Sequence, residues 1–233
     1  MSEHAQAVQA VIFDFNGTLF FDNDKHVKAW SAISQELRGV PVSEDEVINR
    51  LNGVPNKEII AYLLGGEATS EQVTEYSERK EAYYRAFCAE DTEHFHLVKG
   101  ATRLFEELAE RGVPFTIASA SIKPNIDFFV ESFGLDRWMD PGSIVYDDGT
   151  YADKIEMFKR AAELLGAETA DTLVFEDSPN GLANAREAGC PRIVLVGAPG
   201  DGDGAGAAGA ADDEVAQRIE DFDGFDRSLL RAS

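Results

Sequence analysis

The sequence predicts an α/β protein: a parallel sheet with helices on both faces, divided by one helical insertion after its first strand. Three observations predict it. From Gly100 onward, short apolar runs alternate with amphipathic helical stretches, the pattern of βαβ units whose strands are covered on both sides. The block from about residue 22 to 95 carries helical spacing and almost no strand character. Acidic and hydroxyl residues recur where the apolar runs end, at the carboxyl edge where open parallel sheets bind ligands.

Each element has its own signal. Val8 to Phe15 reads as a buried strand, short, β-branched and aromatic, closed by Asn16-Gly17. Asp22 or Asp24 is placed to cap a helix whose face carries His26, Trp30, Ile33 and Leu37. Ser43 with Glu46 is a capping-box pattern, Pro55 suits a helix start, and Ser70 to Phe87 reads as one long helix. Beyond residue 100, "GATRLFEELAERG" is a helix closed by Gly112, "VPFTIAS" a strand, and "KPNIDFFVESFG" a helix closed by Gly134. "SIVYDDG" is a strand and turn, "DKIEMFKRAAELLG" a helix, and "DTLVFED" a strand. "SPNGLANAREAG" is a helix with Pro179 in its first turn, and "PRIVLVG" a strand. Residues 197–214 are Gly/Ala/Asp-rich and expected to be flexible; "VAQRIEDFDGF" is expected to add an edge strand or a helix. The expected domains are an α/β core, 1–20 with 96–233, and a helical insert, 21–95.

Composition narrows the functional classes. The net charge of −22 over 233 residues argues against nucleic-acid binding, because phosphate backbones would be repelled. No apolar run is long enough to span a bilayer and the N-terminus has no secretory pattern. Cys88 and Cys190 lack metal-type spacing and read as buried thiols of a reducing compartment. The expectation is a cytoplasmic protein without membrane or nucleic-acid partners, monomeric or weakly self-associating.

The strand ends carry the chemistry. The first strand delivers Asp14, the second Ser119, and "TLVFED" delivers Glu176 and Asp177; Lys154 follows the "YDDGTY" turn. Asp14 and Asp177 can hold Mg²⁺, a hard cation that prefers oxygen ligands. Ser119 and Lys154 can hold phosphate oxygens, helped by backbone N–H groups of the Asn16-Gly17-Thr18 turn. An Asp14 oxygen in line with phosphorus could then form an aspartyl phosphate.

"DFNGTLF", "TIASAS", Lys154 and "VFEDSPNGLANAREAG", in that order, resemble the haloacid dehalogenase superfamily, in its phosphatase and β-phosphoglucomutase-like branch. The resemblance covers about residues 8 to 200. It implies a Rossmann-like core with an inserted α-helical cap. It implies Asp14 as nucleophile, and Asp14, Asp177 and the main-chain carbonyl of Asn16 as Mg²⁺ ligands, with Glu176 supporting them. Ser119, with Ala120 and Gly17, would bind the transferring phosphate, and Lys154 would pair with it and with Asp14. His26, Asn56, Lys57 and Lys80 would contribute substrate contacts from the cap.

The chain departs from the family pattern in three places. Asn16 stands where the family carries a second Asp that shuttles the proton, and an amide cannot do so at neutral pH. General acid–base catalysis contributes roughly 10²–10⁴-fold, so alkyl phosphates are expected to turn over slowly. The lysine of the third motif is displaced, Lys154 lying in "YADKIEMF". Ile122 and Asn56 occupy positions where mutases carry basic residues, with Lys123 and Lys57 beside them; His26 and Trp30 also share a packing face with Ile33 and Leu37. Four readings of Asn16 stay open: a slow or specialised phosphatase, a phospho-ligand binder, an engineered Asp→Asn change, and deamidation at the labile Asn-Gly step. The expected function is Mg²⁺-dependent hydrolysis of a small phosphorylated metabolite. The alternatives are a sugar-phosphate isomerase of the β-phosphoglucomutase type and a non-catalytic phospho-ligand binding protein.

Overall fold

The computed structural model describes residues 8–51, 54–197 and 215–230. The segment 197–214, apart from Gly197, lies outside them. The chain divides into two compact units: Met1–Phe21 with Leu97–Ser233, and Asp22–His96.

The first unit is the α/β sheet. Its strands are β1 (Ala10–Phe13), β2 (Phe115–Ile122), β3 (Val145–Asp147), β4 (Thr172–Glu176), β5 (Arg192–Val196) and β6 (Gln217–Ile219), in the order β3-β2-β1-β4-β5-β6. Every described pairing is parallel. Strand β1 is buried along its whole length, as a central strand covered on both faces must be. The order reverses at β1, which pairs with β2 on one side and β4 on the other, and that reversal opens a crevice at the carboxyl edge.

Register explains which side chains meet there. Phe13 stands level with Ile117 on β2 and with Phe175 on β4. The next residues along these three strands are Asp14, Ala118 and Glu176, with Ser119 one step further.

Two apolar layers hold the sheet. On one face the Phe13 ring stacks on Phe175 at 4.9 Å and meets Phe105 edge-on at 5.3 Å, with Phe222 completing the cluster. On the other, Ile12, Val174 and Ala118 pack against Met157, Phe158, Leu182 and Ala185. Each of the larger side chains, Phe, Ile, Val, Leu or Met, contributes about 1.5–3 kcal/mol through burial. Helix α5 (Ala101–Glu110) supplies the first layer; α6 (Lys123–Phe133) stacks Phe129 on Phe15 at 4.1 Å; α7 (Lys154–Leu164) and α8 (Pro179–Glu187) supply the second layer. The terminal "VAQRIEDFDGF" gives both expected outcomes in sequence: edge strand β6, then a 3-10 turn at Phe222–Gly224 that buries Phe222.

The second unit is helical: α1 (Asn23–Arg38), α2 (Glu44–Glu46, running into a π turn over Val47–Leu51), α3 (Asn56–Leu64) and α4 (Ser70–Glu90). Its core is Trp30, Ile33, Ile59, Ile60 and Leu63, with Leu37 and Tyr76 packed against it. Ser43 and Glu46 form the capping box, and Thr69 with Gln72 form a second one that starts α4. Asp22 occupies the position before α1 but makes no capping hydrogen bond. Its carboxylate accepts from the Tyr84 hydroxyl instead, because that buried phenol needs a partner. Among the described residues no helix is long and apolar enough to cross a membrane.

Candidate active site

The carboxyl edge around β1 brings four charged side chains together. Asp14, one residue past β1, is held by its own N–H, which donates to Phe175 O at 2.9 Å. Lys154, the first residue of α7, reaches back so that Nζ donates to Asp14 Oδ1 at 2.6 Å and to Glu176 Oε1. Asp153 makes this possible by capping α7, its carboxylate accepting from the N–H groups of Ile155 and Glu156. The displaced third-motif lysine therefore still delivers its ammonium to Asp14.

Glu176 is fully buried and fully engaged. Its Oε2 accepts from the N–H of Asp177 at 2.9 Å, the N–H of Ser178 at 3.0 Å and Ser178 Oγ at 3.1 Å. Burial alone would raise its proton affinity, but Lys154 and these N–H donors hold it below the ordinary glutamate range. For Asp14, burial dominates: it pushes the carboxyl up to about 7, with Lys154 pulling down and Glu176 pushing up. Burial also works against the Lys154 charge, yet Asp14 and Glu176 outweigh it and hold the ammonium above its usual value. Asp14 Oδ2 accepts from Thr18 Oγ at 3.3 Å.

One oxygen from each of Asp14, Glu176 and Asp177 lies within 4.8 Å of the others. Two glycines admit this crowding. A Cβ on Gly17, where φ is +78°, would lie 2.2 Å from Asp177 Oδ2; one on Gly181 would lie 1.9 Å from Glu176 Cδ. A trio of carboxylates gathered this tightly and cradled by side-chain-free backbone fits a small hard cation.

The Asn16 turn is tightly built. Gly17 N–H donates to Phe20 O at 2.8 Å, and Thr18 N–H to Phe15 O at 3.2 Å. Both N–H groups donate within the turn, and Gly17 also admits the close approach of the Asp177 carboxylate. Asn16 Oδ1 accepts from Ser121 Oγ at 2.6 Å and from Ser119 Oγ at 3.4 Å. Ser119 is buried beside Asn16, whereas Ala120 points outward from β2.

The remaining expected residues belong to the helical unit. His26 stacks on Tyr84 at 4.1 Å, and its Nδ1 lies 2.8 Å from Lys80 Nζ. Lys80 is itself buried, paired with Glu81 at 2.7 Å and 5.6 Å from the Trp30 ring centroid. Asn56 and Lys57 open α3, with Lys57 exposed. Ser121, the Thr18 hydroxyl, Ser178 and Gly181 join the site without having been singled out. Ser178 was legible as a helix cap before Pro179; nothing in the spacing pointed to Ser121.

The family model for haloacid dehalogenase-like hydrolases matches residues 8–189. Protein CbbY (plasmid) of Cupriavidus necator is 31% identical over 198 residues, covering 80% of this chain and 78% of that protein. Validoxylamine A 7'-phosphate phosphatase of Streptomyces hygroscopicus subsp. limoneus is 27% identical over 81% of this chain and 84% of its own length. A family IA, variant 3 hydrolase of the same class from Entamoeba histolytica superimposes with a TM-score of 0.83 at 31% identity, covering 95% of this chain and 97% of that one. The matched region contains the strand ends that carry Asp14, Ser119, Glu176 and Asp177, and the helix that carries Lys154. This chain therefore belongs to the haloacid dehalogenase-like hydrolases.

Proposed function

We propose that the chain is a Mg²⁺-dependent phosphohydrolase of small phosphorylated metabolites, acting through an aspartyl phosphate at Asp14. The observation that carries this reading is the joining of Lys154 to both Asp14 and Glu176 beside the Asp177 carboxylate, at the sheet's switch point. Asp14 and Asp177, with the main-chain carbonyl of Asn16, would hold Mg²⁺, and Glu176 would support them. When bound, the cation offsets the repulsion between carboxylate and phosphate.

The chain's own groups do the rest. An Asp14 oxygen attacks phosphorus, and the bond to the leaving oxygen breaks. Lys154 favours the ionised form of Asp14, opposing the burial that raises its proton affinity, and neutralises the phosphoryl oxygens that approach it. Ser119 donates to the transferring group. Water then attacks the phosphoryl-aspartate and restores Asp14. The buried free cysteines suit the cytoplasmic setting expected from composition.

A second reading has one observation in its favour: Asn16 cannot shuttle a proton, which suits a protein that binds a phosphorylated ligand and hardly turns it over. The isomerase alternative is disfavoured by Ile122 and Asn56, which offer no charge to a second phosphate.

The test is phosphate release from sugar, nucleotide, acyl and aryl phosphates with MgCl₂ and with EDTA. Release from at least one class, abolished by EDTA and restored by Mg²⁺, supports the proposal. Release indifferent to EDTA contradicts the metal assignment, and tight binding without release favours the binding protein.

A further inference from the structure

The described residues hold two Asn-Gly steps, Asn16-Gly17 and Asn180-Gly181. Glycine has no Cβ to shield its nitrogen, so in an unfolded chain that nitrogen attacks the asparagine side chain. The N–Cγ bond forms, the bond from Cγ to the amide nitrogen breaks, and ammonia departs with the proton from the glycine. Water then opens the succinimide to aspartate or to isoaspartate. Ring closure has two requirements. The glycine N–H must be free to lose its proton, and the side-chain carbon must swing onto that nitrogen.

The fold withholds both at Asn16. Gly17 N–H donates to Phe20 O at 2.8 Å. The Phe15 carbonyl accepts from the N–H groups of Thr18, Leu19 and Phe20 at 3.2, 2.8 and 3.1 Å, which ties the main chain on both sides of the Asn16-Gly17 peptide. The side chain is tied to another strand: Oδ1 accepts from Ser121 Oγ at 2.6 Å and from Ser119 Oγ at 3.4 Å, both on β2. At Asn180 the backbone is held, with Gly181 N–H donating to Ser178 Oγ at 3.0 Å in the first turn of α8, while the side chain is exposed.

We infer that Asn16 is a latent modification site: the folded turn, latched by Ser121, keeps it an amide, and deamidation proceeds only from molecules in which this turn has opened. The observed rate is then the rate of the open chain multiplied by the fraction of time the turn spends open. An acid found at position 16 therefore records past opening of the turn after β1. This holds whatever the site turns over.

The experiment incubates the full chain and Ser121→Ala in mildly alkaline buffer, with and without unfolding guanidinium chloride. The Asn16 and Asn180 peptides are quantified by mass against time, and circular dichroism confirms which samples are folded. In the folded chain Asn16 should convert at least about tenfold more slowly than in denaturant, because several hydrogen bonds must break first. Folded Ser121→Ala should convert Asn16 severalfold faster than the folded chain and leave the Asn180 rate unchanged. In denaturant the two proteins should convert Asn16 equally. Hydrogen exchange at Gly17 N–H reads the same opening without any substitution, and its protection should match the suppression at Asn16. Equal Asn16 rates with and without denaturant overturn the inference, and so does a freely exchanging Gly17 N–H. An unchanged or slower Asn16 rate in folded Ser121→Ala also overturns it, since the hydroxyl would then be polarising the amide towards attack instead of holding it.

Discussion

Lys154 Nζ lies 2.6 Å from Asp14 Oδ1, across 140 positions of sequence. The same ammonium pairs with Glu176, whose side chain is wholly inaccessible. One cation thus stabilises two buried carboxylates. Removing it leaves them uncompensated, and breaking a buried pair in this way costs about 3–5 kcal/mol. Lys154→Met is expected to destabilise by about that amount without metal, and MgCl₂ should restore part of it by supplying the missing charge. Urea unfolding midpoints with and without Mg²⁺ check this. An unchanged midpoint in the variant would show that the ion pair carries no such weight.

The acidic trio depends on two absent side chains. Gly181→Ala would force a methyl to within 1.9 Å of Glu176, and Gly17→Ala would set one 2.2 Å from Asp177 at a φ of +78°. Overpacking costs about 1–3 kcal/mol, and under the proposed Mg²⁺ reading both variants should bind the cation more weakly because a carboxylate of the trio must move. Gly149→Ala is the control: its φ is +80°, but an added Cβ meets nothing within 4 Å. Titration calorimetry with MgCl₂ should separate the three. Equal affinity in all of them would contradict the cradle.

Cys88 offers a pH prediction away from the site. Burial, reinforced by Asp22, pushes its thiol from 9.0 up to about 12. The unfolded chain therefore loses this proton at lower pH than the folded one. Stability from Cys88 is fully present below pH 9.0 and is lost as pH rises towards about 12. Thermal melts should fall over that window and fall less in Cys88→Ala relative to its own neutral value. A native thiol that reacts quickly with a disulfide reagent at pH 8 would be incompatible with this burial.

The chain carries 43 acidic and 21 basic side chains, a net charge of −22. Surface pairs such as Arg79–Glu36 and Lys123–Asp127 are screened by solvent, contribute little and weaken further with salt. The unpaired negative excess repels itself, and salt weakens that too. With acids outnumbering bases about two to one, repulsion wins. Raising NaCl from about 0.01 M to about 0.1 M shortens the screening length from about 30 Å to about 10 Å and should raise the melting temperature. A falling melting temperature would mean that the surface pairs matter more than the excess.

Much of this organisation is visible in the chain because local patterns and tertiary demands agree. The central strand is uniformly apolar because both its faces are covered, and parallel strands deliver their next residues to a common edge. Asp14, Ser119 and Glu176 could be placed there from strand ends alone. What stays hidden depends on side chains meeting across the sequence. Ser121 reaches Asn16 from 105 positions away. Asp22 looks like a helix cap, but its partner is Tyr84 on another helix. Gly181 reads as an ordinary residue of a first helical turn until Glu176 is seen beneath it. Capping depends on neighbours in sequence and is legible; carboxylate crowding depends on long-range packing and is not.

The most direct test is to expose the chain to an acyl or aryl phosphate with MgCl₂, quench in acid and map the phosphoryl group. It should sit on the peptide containing Asp14 and vanish in Asp14→Asn, which should also release no phosphate while remaining folded. Phosphate release that persists in Asp14→Asn, or a phosphoryl group on any other residue, would contradict Asp14 as the nucleophile.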